Sequence, residues 1–125
     1  MILIKVVVGG SRGFSDYGLL KSKLDTILKD YEYSQIEIVS GGAEGADKLG
    51  ERYAEEHGCK LTMFIPDWDM FGGSAGMRRN VEMAHYGDCV ICFWDGVSRG
   101  TKGMINTCIS KSKTVQIIRY SKLNK

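Results

Sequence analysis

Three glycine-rich stretches of the sequence carry the residues that could bind an anion. They are residues 9–13 (Gly-Gly-Ser-Arg-Gly), 40–47 (Ser-Gly-Gly-Ala-Glu-Gly-Ala-Asp) and 94–101 (Trp-Asp-Gly-Val-Ser-Arg-Gly-Thr). Glycine lets backbone N–H groups approach a ligand closely, and the N-terminus of a helix carries partial positive charge. Since each stretch separates a strand-like run from a helix-like run, we expect one composite site for an anionic small molecule. A nucleotide phosphate fits this chemistry best.

The first stretch combines a flexible backbone with anion-binding side chains. Gly9 and Gly10 permit a tight exit from a strand, Ser11 offers a hydroxyl, and Arg12 offers a planar guanidinium suited to phosphate or carboxylate. The stretch is not G-x-G-x-x-G, and the Walker pattern G-x-x-x-x-G-K-[ST] is absent from the sequence. Ordinary NAD binding is therefore not expected. For this stretch alone, a tight strand-to-helix loop without a ligand is the alternative interpretation.

The second stretch places carboxylates beside glycine amides. Gly41, Gly42 and Gly45 could present their backbone N–H groups to a phosphate, and Asp47 could hold a ribose hydroxyl. Simple N-capping of the following helix is the alternative role for Asp47. Glu44 would be unfavourable near an anion unless it binds ribose or acts as a general acid or base.

An aromatic and basic segment, residues 66–80, is longer than packing requires. Its proline and aromatics, Trp68 among them, could form a lid or a stacking wall for a base. Arg79 and Asn80 follow in the first turn of a predicted helix, where each cation opposes the helix dipole by about 0.3–1 kcal/mol. A bound anion would offset that cost, whereas a solvated charged turn is the alternative.

The third stretch resembles a phosphate cradle at the start of a helix, through Ser98, Gly100 and Thr101. Asp95 follows the preceding strand, from where a carboxylate could reach a ribose or a leaving group; an Asx-turn is its alternative role. The predicted catalytic candidates are Asp95 and Glu44. The predicted ligand-binding residues are Gly9, Gly10, Ser11, Arg12, Gly41, Gly42, Ala43, Asp47, Trp68, Arg79, Asn80, Trp94, Gly96, Ser98, Gly100 and Thr101.

Apolar periodicity predicts the elements that position these residues. Strands are predicted at residues 2–8, 35–40, 60–65, 88–93 and 114–119, and helices at about 16–30, 46–57, 77–86 and 101–113. This alternation favours an α/β, Rossmann-like three-layer sandwich with a five-stranded, mainly parallel sheet in the order 3-2-1-4-5. Strands 1 and 4 then flank the switch point, beyond whose carboxyl ends ligands bind. We expect one domain over residues 1–119 and a polar tail over 120–125.

Bulk composition excludes several classes of partner. A net charge of +2 in 125 residues gives no electrostatic footprint for duplex nucleic acid, and the longest apolar run is far below the roughly 20 residues of a membrane span. We therefore expect a cytoplasmic protein that binds neither. Cys89 and Cys92 form a C-x-x-C, but their odd spacing within a strand puts them on opposite faces. We expect reduced thiols, no metal and no cofactor.

The ordered motifs resemble a known family. They are Gly9 with Ser11-Arg12, residues 40–43 with 45–47, Pro66-Asp67-Trp68, Gly76 with Arg79-Asn80 and Met83, and residues 94–96 with Ser98 and Gly100-Thr101. This combination is similar to the YspA/YpsA-like branch of the SLOG superfamily, which includes the DprA (Smf) DNA-processing proteins and LOG-type phosphoribohydrolases. The resemblance runs from Val8 to about Ile109 and implies a Rossmann-like fold that binds nucleotides or their derivatives, in bacteria and their phages.

The resemblance also implies an enzymatic alternative to ligand sensing or sequestration. LOG enzymes cleave the N-glycosidic bond of nucleoside 5′-monophosphates, with a P-G-G-x-G-T loop followed by a helix glutamate. Residues 96–101 look similar to that loop, and Arg79 is similar to the LOG arginine by position. The helix that follows has no glutamate at its start, so Glu44 or Asp95 would have to take that role in a LOG-type reaction. Because the superfamily often dimerises, and because Trp68 and Phe71 are expected to be exposed, we also expect a homodimer.

Overall fold

A computed structural model describes residues 3–121 of the chain. Within that range strands and helices alternate, and two short 3₁₀ turns lie at Tyr33–Gln35 and Gly72–Ser74. The strands are β1 (Ile4–Gly10), β2 (Ile36–Ser40), β3 (Lys60–Met63), β4 (Cys89–Trp94) and β5 (Val115–Arg119). The helices are α1 (Tyr17–Ile27), α2 (Ala46–His57), α3 (Trp68–Phe71), α4 (Ala75–Tyr86) and α5 (Arg99–Ser110).

The strands form one sheet in the order β3-β2-β1-β4-β5, which confirms the predicted topology. All four strand pairings are parallel, so the sheet is more uniform than the mainly parallel one expected. The chain leaves β1 toward β2 on one side and returns to β4 on the other. The switch point therefore lies between β1 and β4, and ligands of such sheets bind beyond the carboxyl ends of these strands.

Both faces of the sheet are covered, as parallel sheets require. Alternate residues of β1 divide between the two layers: Val6 and Val8 pack with α1 and α2, whereas Val7 packs with α4 and α5. Cys89 and Cys92 divide in the same way, which confirms that they lie on opposite faces. All four cysteines are free thiols.

The first glycines belong to a strand, where the sequence predicted a turn. β1 continues through Gly9 and Gly10 because these residues pair with Cys92 and Phe93 of β4. A Cβ on Gly10 would overlap the backbone of Phe93, at 2.8 Å from its nitrogen, so only glycine allows the two strands to approach this closely. β1 therefore extends two residues beyond the end of the strand predicted at residues 2–8. Ile2 lies outside the described residues.

Other element ends differ from the predictions for local reasons. β3 stops at Met63 because its partner β2 ends at Ser40, whose carbonyl receives the last bond, from Phe64 N–H at 2.8 Å. α1 stops at Ile27, where a Tyr31-to-Leu28 turn replaces the helical bonds. α5 spans Arg99–Ser110 because it starts at the third glycine-rich stretch and ends before Ser112, whose φ is 54°.

The segment predicted to be irregular contains the short helix α3, and α4 begins at Ala75, two residues before the predicted start. Tyr120, which the sequence analysis placed in the polar tail, packs its ring 4.8 Å from that of Phe14. Residues 122–125 lie outside the described range. Among the helices of residues 3–121, none has the length and apolar character needed to cross a bilayer.

Candidate functional site

The three glycine-rich stretches meet in one cleft of about 390 Å³ at the carboxyl ends of β1, β2 and β4. Many of the predicted ligand-binding residues line it. These are Gly9, Gly10, Ser11, Arg12, Ala43, Asp47, Arg79, Asn80, Ser98, Gly100 and Thr101, joined by the catalytic candidate Asp95.

A hydroxyl network ties the first stretch to the third across the switch point. Ser11 is buried, and its Oγ accepts a hydrogen bond from Asp95 N–H at 3.1 Å. Ser98 Oγ lies 2.8 Å from Ser11 Oγ and 3.0 Å from Asp95 Oδ1. If the Ser98 hydroxyl donates to the carboxylate, Ser11 must donate to Ser98, which fixes both hydroxyl protons. The network therefore links the residue after β1 to the loop between β4 and α5.

Asp95 also organises its own loop. Its Oδ1 accepts hydrogen bonds from the N–H groups of Val97 and Ser98, both at 2.8 Å. This is the Asx-turn that the sequence analysis named as the alternative role for Asp95. One carboxylate oxygen thus shapes the loop that leads into α5.

The N-terminus of α5 faces the cleft without the cap that its sequence could provide. Ser98 occupies the N-cap position but makes no side-chain capping bond within the described residues, because its hydroxyl lies in the Ser11–Asp95 network. Gly100 and Thr101, in the first turn, line the cleft. First-turn amides and the helix dipole together favour an anion at this point.

The second stretch packs tightly against the first at Gly45. This residue has φ of 83°, and a Cβ there would overlap the backbone of Ser11 and Arg12, at 2.6 Å from the carbonyl carbon of Arg12. Ala46 N–H, at the start of α2, also lies 3.4 Å from the carbonyl oxygen of Ser11. A glycine at position 45 therefore sets how closely α2 approaches the loop after β1.

Asp47 is a buried carboxyl that lines the cleft. Its Oδ2 accepts a hydrogen bond from Ala43 N–H at 3.2 Å. Burial raises the pKa of Asp47 from 3.8 to about 6, although the Ala43 amide and the charge of Arg79 act in the opposite direction. Gly9 lies opposite, and a Cβ at that position would come within 3.2 Å of Asp47 Oδ1.

Arg79 is held by protein acceptors and reaches the cleft half-buried. Its Nη1 donates to the carbonyl of Gly41 at 2.6 Å, and its Nε donates to Oδ1 of Asn80 at 3.0 Å. Burial lowers the pKa of Arg79, the charge of Asp47 raises it, and the neighbouring charge of Arg12 lowers it again. Two guanidinium groups therefore lie close enough to repel each other within one cleft.

Several predicted residues lie outside the lining of the cleft. Gly41 acts through its carbonyl on Arg79, and a Cβ there would sit 2.7 Å from Nη1 of that arginine. Glu44 is exposed. Trp94 donates its indole N–H to the carbonyl of Ser98 at 3.1 Å. Gly42 and Gly96 have φ of 77° and 87°, which are turn conformations. Trp68 is exposed on α3.

The structure adds lining residues that the sequence analysis did not select. One is Arg99, the first residue of α5, which is the third arginine in the lining of the cleft. Its position inside the third glycine-rich stretch was the available signal. Another is Gly13, and the rest form an apolar floor that consists of Val7, Met83, Val90, Cys92 and Met104. Among these, only Met83 appeared in the motifs that carry the family resemblance.

Comparison with known proteins agrees with this architecture. A model of the YAcAr family, described as the YspA, cpYpsA-related SLOG family, matches residues 4–71, more than half of the chain. The protein belongs to this SLOG family. The Gene 61 protein of Mycobacterium phage D29 is 34% identical over 104 residues, which are 78% of this chain and 82% of that protein.

Two solved structures share the fold of this SLOG protein. DNA processing protein A (DprA) from Streptococcus pneumoniae has a TM-score of 0.72 at 21% identity over 98% of this chain. DprA from Helicobacter pylori, whose structure is described as showing a single-stranded DNA binding mode, has a TM-score of 0.70 at 19% identity over 99%. The chain spans 52% of the first and 68% of the second protein. These likenesses establish the fold, and the chemistry must come from the site itself.

The family match covers only part of the cleft. Residues 4–71 extend from β1 through α3, and thus include Arg12, Asp47 and Trp68. Arg79 and the loop before α5 follow the matched segment. In the described part of the chain, no three histidine, cysteine or acidic side chains gather as a metal ion would require.

Proposed function

We propose that this protein binds a nucleotide or a nucleotide-derived small molecule in the cleft at the carboxyl edge of the sheet, for sensing or sequestration. The observation that carries the proposal is that Arg12 and Arg79 line one cleft together with the first turn of α5. Arg79 is half-buried and Arg12 is exposed, and both are positively charged. A phosphate bound in the cleft would pair with both guanidinium groups and accept their hydrogen bonds.

The remaining walls suit the same class of ligand. Gly100 and Thr101 offer first-turn amides of α5 to an anion, while the methionines and valines of the floor offer apolar surface. A volume of about 390 Å³ lies at the small end of the range of ligand pockets, about 300–1,000 Å³. The cleft therefore accommodates one compact ligand with an anionic end and an apolar part.

A small ligand fits this chain better than a long nucleic acid. The H. pylori neighbour is described as binding single-stranded DNA, but at 19% identity it shares only the fold. A net charge of +2 provides little of the electrostatic attraction that such strands require. The three cleft arginines are a local concentration of positive charge, which matches a ligand of limited size.

Calorimetric titration with nucleoside mono- and diphosphates tests the proposal. Each of Arg12→Ala and Arg79→Ala should weaken binding by about 10- to 100-fold, as expected for lost charge-assisted hydrogen bonds. Arg52→Ala is the matched control. Arg52 is exposed on α2, forms an ion pair with Glu56 at 2.8 Å and does not line the cleft. Absence of binding by the unmodified protein, or equal affinities in all three variants, would contradict the proposal.

A second candidate function is hydrolysis of a nucleotide N-glycosidic bond, and the raised pKa of Asp47 favours it. Glycosidic cleavage commonly uses two carboxyl groups, one of which holds a proton near neutral pH. Asp47 and Asp95 both line the cleft, whereas Glu44 does not. We therefore assign the proton-donating role to Asp47 rather than Glu44.

Release of free base from nucleoside monophosphates measures this second function. We expect Asp47→Asn to abolish the release and Glu44→Gln to leave it unchanged. If the unmodified protein binds nucleotides but releases no base, the hydrolase assignment fails and the binding assignment stands.

A further inference from the structure

The short helix α3 presents an aromatic side chain beside the cleft. Trp68 is 53% exposed, although it is one of the largest apolar side chains in the protein. A Cβ built on Gly76 of α4 would lie 3.5 Å from Cη2 of the Trp68 ring and 3.9 Å from Nη2 of Arg79. The indole and the guanidinium thus both lie within 4 Å of the same point on α4.

Local interactions stabilise α3, which begins at Trp68. The side chain of Asp67 caps α3 by accepting a hydrogen bond from Met70 N–H at 3.0 Å. The guanidinium of Arg78 covers the ring of Phe71, 4.3 Å from its centre. Trp68 thus begins a capped helix, and about half of its surface remains exposed to solvent.

We propose that Trp68 binds the base of a nucleotide whose phosphate is held by Arg12 and Arg79. This inference rests on the proposed function, because it takes the anion site of the cleft as given. A base and its phosphate are joined by one sugar, and Trp68 and Arg79 are neighbours across a single glycine. The ligand class is thus a base-bearing phosphate, as opposed to a sugar phosphate or inorganic phosphate.

Stacking on an exposed indole tolerates different bases, since every base has a π-face. The second tryptophan provides the contrast. Trp94 is half-buried, with its N–H bonded to Ser98 and the guanidinium of Arg119 5.3 Å from its ring centre. Trp68 is the tryptophan whose face is available, and we expect only modest discrimination between purine and pyrimidine ligands.

The test compares nucleoside 5′-monophosphates with ribose 5-phosphate by calorimetry and by tryptophan fluorescence. The unmodified protein should bind the nucleotides more tightly than ribose 5-phosphate. Trp68→Ala should weaken nucleotide binding by about 5- to 100-fold, in line with alanine substitution at other stacking sites, and leave ribose 5-phosphate binding unchanged. Trp68→Phe should keep most of the affinity.

Met70→Ala is the matched control. Met70 is 72% exposed on the same helix, but it does not come within 4 Å of a Cβ built on Gly76. It should leave both affinities unchanged. Nucleotide quenching of fluorescence should persist in Trp94→Phe and disappear in Trp68→Phe.

The outcomes separate this inference from the proposed function. If neither nucleotides nor ribose 5-phosphate bind, the proposed function fails. The base-stacking role is overturned, and the anion site stands, if ribose 5-phosphate binds as tightly as a nucleotide. The same conclusion follows if Trp68→Ala weakens the affinities for nucleotide and ribose 5-phosphate equally, or if it changes neither affinity. Conversion of a dimer to a monomer by Trp68→Ala, with nucleotide affinity intact, would assign Trp68 to contact with a second copy of the chain and also overturn it.

Discussion

Glu37 and Asp47 are both buried carboxyl groups, yet the protein treats them in opposite ways. Glu37 lies in β2, where its carboxylate accepts hydrogen bonds from the hydroxyls of Thr62, at 2.8 Å, and Tyr86. Lys60 Nζ stands 3.6 Å away. Burial alone would raise the pKa of Glu37, but these hydrogen bonds and the nearby lysines lower it below its ordinary value.

Asp47 has far weaker compensation. It accepts backbone hydrogen bonds from Ala43 and Gly41, and the guanidinium of Arg79 contributes its charge while donating to the carbonyl of Gly41. Burial therefore dominates and raises its pKa to about 6. The two carboxyl groups therefore have different roles. Glu37 links β2 to β3 through its hydrogen bonds, whereas Asp47 lines the cleft, where a ligand hydroxyl can complete its hydrogen bonds.

The strongest test of this contrast is Glu37→Gln. The amide oxygen can still accept from the hydroxyls, but the carboxylate charge that strengthens these hydrogen bonds and attracts Lys60 is lost, so we expect a loss of about 3 kcal/mol in the free energy of unfolding. Chemical denaturation at pH 7 measures it. Nucleotide affinity of the folded variant should not change, since Glu37 does not line the cleft. A stability change near zero would break the contrast.

Asp47→Asn should act in the opposite direction. Because ionised Asp47 is buried with little compensation, the substitution should stabilise the protein at pH 8 by about 1–3 kcal/mol, while its amide oxygen can still accept from Ala43. We also expect nucleotide affinity to fall by about 5- to 10-fold, since a neutral acceptor binds a hydroxyl more weakly than a carboxylate. If Asp47→Asn lowers the free energy of unfolding and leaves nucleotide affinity unchanged, Asp47 has a structural role like that of Glu37.

The pH dependence of stability sharpens the same point. The folded-state pKa of Asp47 lies above its ordinary value, so the native state retains a proton that the unfolded chain releases between about pH 4 and 6. This group therefore lowers stability as pH rises through that window. The advantage of Asp47→Asn should grow from near zero at pH 4 to its full value above pH 6. Denaturation midpoints across that range measure it, and a constant difference would refute the assignment.

The smallest expected effects come from two glycines of α5. In the described structure, a Cβ would contact no other side chain or loop at either Gly100 or Gly103. Alanine should therefore stabilise the helix at each position by up to about 1 kcal/mol. Only Gly100 lines the cleft, so Gly100→Ala should weaken nucleotide binding and Gly103→Ala should not. Equal affinities would show that the ligand does not approach the first turn of α5.

The sequence predicted the fold well because its signals are local. Alternating apolar periodicities and glycine-rich turns sufficed for the strand order, and with it the meeting of the three stretches. Long-range contacts account for what it missed. Gly9 and Gly10 are strand residues because β4 runs beside them, and Gly41 acts through its carbonyl because Arg79, 38 positions later, donates to it.

The sequence predicted which residues come together in the cleft more closely than the contacts they make. Ser98 was predicted as a phosphate ligand, and its hydroxyl belongs to a network whose partner, Ser11, is 87 positions away. Glu44 was predicted as a catalytic candidate and Asp47 as a ribose-binding residue, but Asp47 is buried in the lining of the cleft and Glu44 is exposed outside it. The predicted homodimer and cytoplasmic location stay predictions.

Mass spectrometry of small molecules released from the purified native protein is the most direct test of nucleotide binding in the cleft. We expect a base-bearing phosphate compound, near one equivalent per chain, that is retained by Arg52→Ala and lost from the Arg12→Ala, Arg79→Ala double variant. Absence of any phosphorylated compound, combined with no calorimetric binding of added nucleotides, would contradict it.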